Sequence, residues 1–191
     1  VYKRSFTTSQ KLFKKAEKII PFAAQTFSKS HLQFPPDSSP LFLSHGDGAY
    51  AYDCDGSDYI DLVGALLPNI LGYRDPDVDA AIRHQLNSGI SFSLATELET
   101  QLAERLIKHI PCAEMVKFGK NGTDVTSAAV KLARAVTAKK EIMLSGYHGF
   151  QDWSIVTTER NLGIPEETGW LSHRFSTASE AKRLLKTRSI A

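Results

Sequence analysis

An α/β architecture is predicted, on three features of the chain. In "MVKFGKNGTDVTSAAVKLARAVT" (Met115–Thr137) a short apolar run passes through a turn of small residues into a stretch with helical spacing. The buried-strand pattern "EIMLSGYHGF" follows that helix almost at once. Strands that alternate with helices after residue 110 imply a parallel sheet covered on both faces. The 191 residues, 42% hydrophobic and 23% charged, suit one soluble domain or a domain with an appendage, long enough to bury a core without staples.

The elements are read in chain order. Ser9 is the expected N-cap of a first helix whose apolar stripe is Leu12, Phe13, Ala16, Ile19 and Ile20, with Pro21 as its stop. Residues 22–40, rich in Ser and Pro, read as an irregular arm lying over a surface. "LFLSHGDGAYAYDCDGSDYIDLV" reads as a β-meander, with turns at Gly46-Asp47-Gly48 and Asp55-Gly56 and strand-favouring Tyr50, Tyr52 and Tyr59. Asp75 as cap and Pro76 at the first helical position open a helix that buries Val78, Ala81, Ile82 and Leu86 and ends at Gly89. Thr96 and Glu99 form a capping box for a helix with Leu98, Leu102, Ala103, Leu106 and Ile110 inside, closed by Pro111. The run from Met115 is the next strand, and a helix begins near Thr123 on Val125, Ala128, Ala129, Leu132, Ala133 and Val136. Residues 176–186 form a last amphipathic helix on Ala178, Ala181, Leu184 and Leu185. Two parts result: 1–74, with the first helix, arm and meander, and 75–191, with the start of the sheet.

Lys plus Arg number 23 against 21 for Asp plus Glu, a net charge of +2, so the chain has no electrostatic footprint for nucleic acid. No apolar run approaches the ~18 residues of a membrane span. Cys54 and Cys112 stand apart with no C-x-x-C, which suits a reducing compartment. "VYKRSFTTSQ" lacks the apolar segment of a leader and opens without Met, as a trimmed sequence does. A cytoplasmic location is expected.

The bare turn carries the chemistry. The first turn of a helix leaves amide donors unpaired at the positive end of its dipole. Gly122 has no side chain to obstruct an anion, Thr123 and Thr126 add hydroxyl donors, and Asn121 tolerates a left-handed backbone. A phosphate fits there; the plainer alternative is a tight turn with Thr123 as a cap. The order Lys then Gly excludes the P-loop pattern, and G-x-G-x-x-G is absent. "SGYHGFQDW" (Ser145–Trp153) places Tyr147 just beyond a strand end, where ligands of open α/β sheets collect. A flat aromatic beside a phosphate cradle suits a ligand with a phosphate and a ring; the alternative is that Tyr147 and Trp153 simply pack. A metal set of His148, Asp152 and His173 needs a helix through "HGFQD", which Gly149 opposes, and no metal is expected.

Together these motifs resemble class III pyridoxal-phosphate-dependent aminotransferases, most closely those similar to glutamate-1-semialdehyde 2,1-aminomutase. The resemblance rests on "GDGAYAYDCDGSDYIDLVGALLPNILGYRDPDVDAAIRHQL", "TELETQLAERL", "EMVKFGKNGTDVTSAAVKLARAVT" and "GYHGFQDW", in the family's order. It implies a partial fold-type I transferase of the α/β class, pyridoxal 5'-phosphate as cofactor, a small amino or keto substrate, and a homodimer with shared active sites. It assigns Gly122 and Thr123 to the cofactor phosphate, Tyr147 to the pyridine face and His148 to a place beside the ring, with Asn121 also among the cofactor-binding residues. Lys29 stands where the aminomutase uses an Arg for the substrate carboxylate, and Phe22-Ala23 stand where relatives often carry Gly-Gly. Lysine lacks the bidentate fork of arginine, which argues against glutamate semialdehyde as substrate.

The resemblance also implies a Schiff-base lysine and an acidic partner for the pyridine nitrogen, both beyond the end of this chain. No lysine here occupies the matching position, so no catalytic residue is assigned. The chain reads as the N-terminal, inactive portion of an amino-group-transferring enzyme. Two alternatives are a truncated non-catalytic module that keeps a dimer surface and a phosphate site, and an unrelated phosphosugar- or nucleotide-binding domain. Incubating residues 1–191 with pyridoxal phosphate and reducing with borohydride should leave no specific lysyl adduct; one stoichiometric adduct overturns that expectation.

Overall fold

The computed structural model describes residues 4–191. Val1–Lys3, which open both the stretch read for a leader and the part read as 1–74, lie outside the described residues. The chain divides into two compact units, one ending at Leu94 and the other running Ala95–Ala191.

In the first unit, helix α1 spans Thr7–Ala16 with Phe6, not Ser9, at its N-cap. Ser9 is buried inside the helix, where its hydroxyl accepts from the Leu41 amide at 3.1 Å. The capping role passes to Asp55, whose carboxylate takes the Thr8 and Ser9 amides at 2.6 and 2.9 Å. An ionised acceptor from a distant turn answers the helix dipole better than a local hydroxyl. The helix stops earlier than its stripe: Ile19 and Ile20 lie past its end, and Ile19 is exposed. The expected arm contains two 3-10 turns, Pro21–Ala23 and Phe27–Lys29. Phe22 and Ala23 stand at φ 59° and 56°, a left-handed backbone in which side chains are strained.

The meander forms, antiparallel in the order β1 (Leu43–Asp47), β2 (Tyr50–Asp53) and β3 (Asp58–Ile60), but its first reversal lies at Gly48-Ala49, because Gly46 and Asp47 still pair with Ala51 and Tyr50 in the ladder. Its centre is a buried carboxylate. Asp53 accepts from the amides of Asp55 and Ser57 and from the Tyr59 hydroxyl, all within 2.9 Å. Three donors make that burial tolerable. Helix α2, Pro76–Leu86, has the expected Asp75 cap, whose carboxylate accepts from Asp77 and Val78. None of its residues is buried, so the stripe read as inward lies uncovered among the described residues.

In the second unit, α3 (Glu97–His109) carries the Thr96–Glu99 capping box, but its apolar stripe also lacks fully buried residues. The expected strand at Met115 does not form: the segment before Asn121 is irregular, with no ladder partner among the described residues. Helix α4 spans Gly122–Thr137, and β4 (Ile142–Leu144) follows with Ile142 and Leu144 buried. The chain then makes two short helices not foreseen from sequence, α5 (Asp152–Ile155) and α6 (Glu166–Leu171). Strand β5 (Ser172–Arg174) pairs parallel with β4. Helix α7, Ala178–Thr187, buries Leu184 and leaves Leu185 exposed. A further parallel bridge joins Ile190 to Glu141. Parallel pairs need crossovers of this kind, so the α/β expectation holds. Glu141 accepts from His173 at 2.6 Å, and that bond, aided by Arg188, holds its carboxyl below the usual range.

Two predictions follow from backbone and charge. Ala138 closes α4 at φ 56° and is exposed. Ala138→Gly should raise stability by about 0.5–1 kcal/mol in denaturant unfolding, because relief of left-handed strain exceeds the entropy that glycine costs. Burial raises the Asp55 carboxyl, but the amides of Thr8 and Ser9 outweigh it and leave it below its ordinary value. A depressed folded-state value gives stability that is present above the ordinary carboxylate range and lost as pH falls through the depressed one. The melting midpoint of Asp55→Asn should therefore fall less than that of the unsubstituted chain between about pH 6 and about pH 3.

Candidate functional site

The site is built at the tip of α4. Asn121 is extended, at φ −119° and ψ 154°, and not in the left-handed form its residue type allows. Its amide donates to Asp124 Oδ2 at 3.0 Å, so the first-turn acid is occupied with the cap. The next two amides, of Gly122 and Thr123, donate to no backbone carbonyl among the described residues. A Cβ built on Gly122 would meet nothing within 4 Å, so packing within the chain does not require glycine there. The Thr123 hydroxyl is buried and has no hydrogen-bond partner. Two amides without backbone partners, open space beside Gly122 and an orphan hydroxyl suit an anion at a helix end.

The Ser145–Phe150 turn leaves β4 and returns against this tip. His148 closes it, its Nε2 lying 2.6 Å from the Ser145 carbonyl oxygen. Gly149 is buried at φ 105°, and a Cβ there would overlap the Thr123 hydroxyl. Glycine is thus demanded twice at that position, by conformation and by space. The Thr126 hydroxyl, read from sequence as a phosphate donor, points instead to the carbonyls of Thr123 and His148, each at 3.2 Å. Trp153 donates from Nε1 to Ser127 Oγ at 3.1 Å, so this indole is tied to α4.

Tyr147 stands between these contacts with 78% of its surface exposed, so it is not consumed in a core. It lines a cavity of about 570 Å³ with Ile155, Thr158 and Arg174. Thr123 lines a different one, of about 460 Å³, with Ser127, Lys131, Gln151 and Trp153. Chain contacts therefore bring together Asn121, Gly122, Thr123 and the backbone of His148, while the phenol of Tyr147 faces solvent. Lys29 is exposed at the end of a 3-10 turn in the first unit. Among the described residues no group of three acidic, Cys or His side chains could hold a metal, and His173 is engaged with Glu141. Sequence reading missed the contacts of Gly149 and Ser127 and the bond of Thr126 to the His148 carbonyl. The spacing of Thr123, Thr126 and Ser127, one helical face of small hydroxyls, was the available signal.

A sequence model of the Aminotransferase class-III family matches residues 33–187. The chain belongs to that family. The 3-aminobutyryl-CoA aminotransferase of Cloacimonas acidaminovorans is 37% identical over 164 residues, 85% of this chain and 39% of that protein. The glutamate-1-semialdehyde 2,1-aminomutase 1 of Listeria innocua is 36% identical over 171 residues, 87% of this chain and 39% of that protein. The FumI protein of Sphingopyxis sp. MTA144, solved in its PLP internal aldimine form, superposes with a TM-score of 0.86 at 32% identity, covering 94% of this chain and 43% of its own. An omega-transaminase from Sphaerobacter thermophilus gives 0.84 at 27% identity, covering 93% and 44%. The fold is that of the fold-type I PLP-dependent transferases, in part. This class III chain spans about two fifths of the length of the curated relatives it matches.

Proposed function

We propose that the protein carrying this class III chain transfers an amino group between small amino and keto compounds through pyridoxal 5'-phosphate. The observation that supports it most is the α4 tip, where the amides of Gly122 and Thr123 are free, a side chain on Gly122 would meet only open space, and the Thr123 hydroxyl has no partner. These features fit a phosphate monoester. Bound there, the cofactor supplies a carbonyl carbon for the amine and an electron-accepting ring. Asn121, Gly122 and Thr123 hold the phosphate end. Gly149 covers the Thr123 hydroxyl, so an anion reaches the two amides directly and the hydroxyl after a small shift of that glycine. Tyr147 offers its exposed ring to the pyridine face, and His148 stands beside it. Lys29 serves the substrate carboxylate as a point charge.

In this reading residues 75–191 begin the cofactor-binding large domain, and residues 1–74 are its N-terminal arm and meander. The partner is a second copy of the protein. Leu62, Leu67 and Ile70 support this, since each is more than four-fifths exposed on one short loop. Isolated exposed leucines are ordinary on a surface, whereas a cluster of this kind marks an interface. Cys54 and Cys112 are both free, which supports a cytoplasmic location. No helix among the described residues is long and apolar enough to cross a membrane.

Titration with pyridoxal phosphate tests the assignment in the protein that carries this chain. Thr123→Ala should weaken binding about fivefold, the worth of one hydrogen bond. Tyr147→Ala should weaken it by roughly two- to tenfold, the worth of one ring contact. Wild-type affinity in both variants removes the site.

A further inference from the structure

Three small hydroxyl residues, Thr123, Thr126 and Ser127, lie at i, i+3 and i+4 on α4 and so share one face. Each meets a different point of the segment after β4. Thr123 abuts Gly149, Thr126 shares its hydroxyl proton between its own helix and the His148 carbonyl, and Ser127 accepts from the Trp153 indole. Hydroxyls on a helix face commonly bond back to their own helix. Here two of the three reach across to another segment, separated by 22 and 26 residues in sequence. The consequence is geometric. Tyr147 lies between Gly146, at φ 78°, and the fastened His148–Gly149 pair, so the backbone from which its ring projects is set by where that pair is held.

We infer that Thr126 is a positioning residue, which by its bond to the His148 carbonyl fixes the distance between the ring-facing Tyr147 and the amides of Gly122 and Thr123. It touches neither ring nor phosphate. This rests on the cofactor reading above: a ligand held at both ends binds well only if the two ends stay in register. Gly149 belongs to the same device, because any side chain there would lift the turn off Thr123.

The test compares two probes, pyridoxal phosphate and inorganic phosphate, on the protein that carries this chain. Thr126→Val keeps the shape and deletes the hydroxyl, Thr126→Ser keeps the hydroxyl, and Gly149→Ala obstructs the seat by a separate route. Thr126→Val should weaken pyridoxal phosphate about fivefold, as one lost hydrogen bond does. Inorganic phosphate, competing at the amides alone, should bind as in the unsubstituted protein. Thr126→Ser should restore affinity to within about twofold, allowing for the lost methyl. Amide exchange over residues 146–150 should be faster in Thr126→Val and in Gly149→Ala, with or without cofactor. Unchanged pyridoxal phosphate affinity and exchange in Thr126→Val overturn the inference. So does an equal loss for both probes, which would place Thr126 in the cradle itself. If the unsubstituted protein binds neither probe, the cofactor reading fails first, and the exchange result then shows whether the fastening exists without it.

Discussion

The contact between Gly149 and Thr123 is the constraint on which the site depends. It brings the end of a strand-loop segment onto the first turn of a helix, closely enough that no side chain fits between them. Everything the site offers follows from that closeness. The Thr123 hydroxyl is withdrawn from water, the His148 carbonyl comes within reach of Thr126, and the turn that carries Tyr147 is held at both sides. A looser junction would leave a helix end that attracts anions in general. The seated turn sets a second surface beside that helix end, and in the reading proposed above this gives a generic electrostatic feature a shape.

The rest of the chain is thinly packed by comparison. Ala16, Ala23, Ala51, Ile142, Leu144 and Leu184 are the apolar side chains that reach full burial among the described residues, and three of them are alanines. Meanwhile Val78, Ile82 and Leu86 on α2 and Leu98 and Leu102 on α3 remain about half exposed along well-formed stripes. Covering a side chain of that kind is worth about 1.5–3 kcal/mol, so these helices hold a large unrealised share of stabilisation. Polar chemistry fixes much of the order instead, through Asp53 under the meander, Asp55 at the start of α1 and Asp75 at the start of α2. Capping determines where a helix begins, and burial determines how firmly it stays.

Features whose cause is local were legible in the sequence. The Asp75-Pro76 start, the Thr96–Glu99 box and the Asp55-Gly56 turn each need only a few adjacent residues, and each is present, while the first meander turn falls two residues later than its Gly-Asp-Gly signal. Features decided at a distance were not. Ser9 lost the cap of α1 to a carboxylate 46 residues away, and the run at Met115 has apolar residues but no neighbour among the described residues to complete a ladder. Strand β5, "SHR", shows no apolar alternation, because its pairing is set by β4 and the crossover between them. At the site, Gly122 and Thr123 could be singled out since any helix start exposes amides. Thr126 was misread because its true acceptor, the His148 carbonyl, is identified only once the turn has folded back.

The orphan hydroxyl of Thr123 links binding to stability. A buried donor without a partner costs about 1–3 kcal/mol unless some group recovers it. No group within the described residues does so. The neighbouring amides make no backbone bond either, but Gly122 is exposed, so its amide loses less, since water can serve it. Under the cofactor reading proposed above, a phosphate would meet the two amides first and reach the Thr123 hydroxyl only as Gly149 shifts. Its contribution would be to complete a hydrogen-bond set the fold leaves open, more than to add a charge to a surface. A ligand of that kind stabilises the folded form in proportion to the logarithm of its concentration over its dissociation constant.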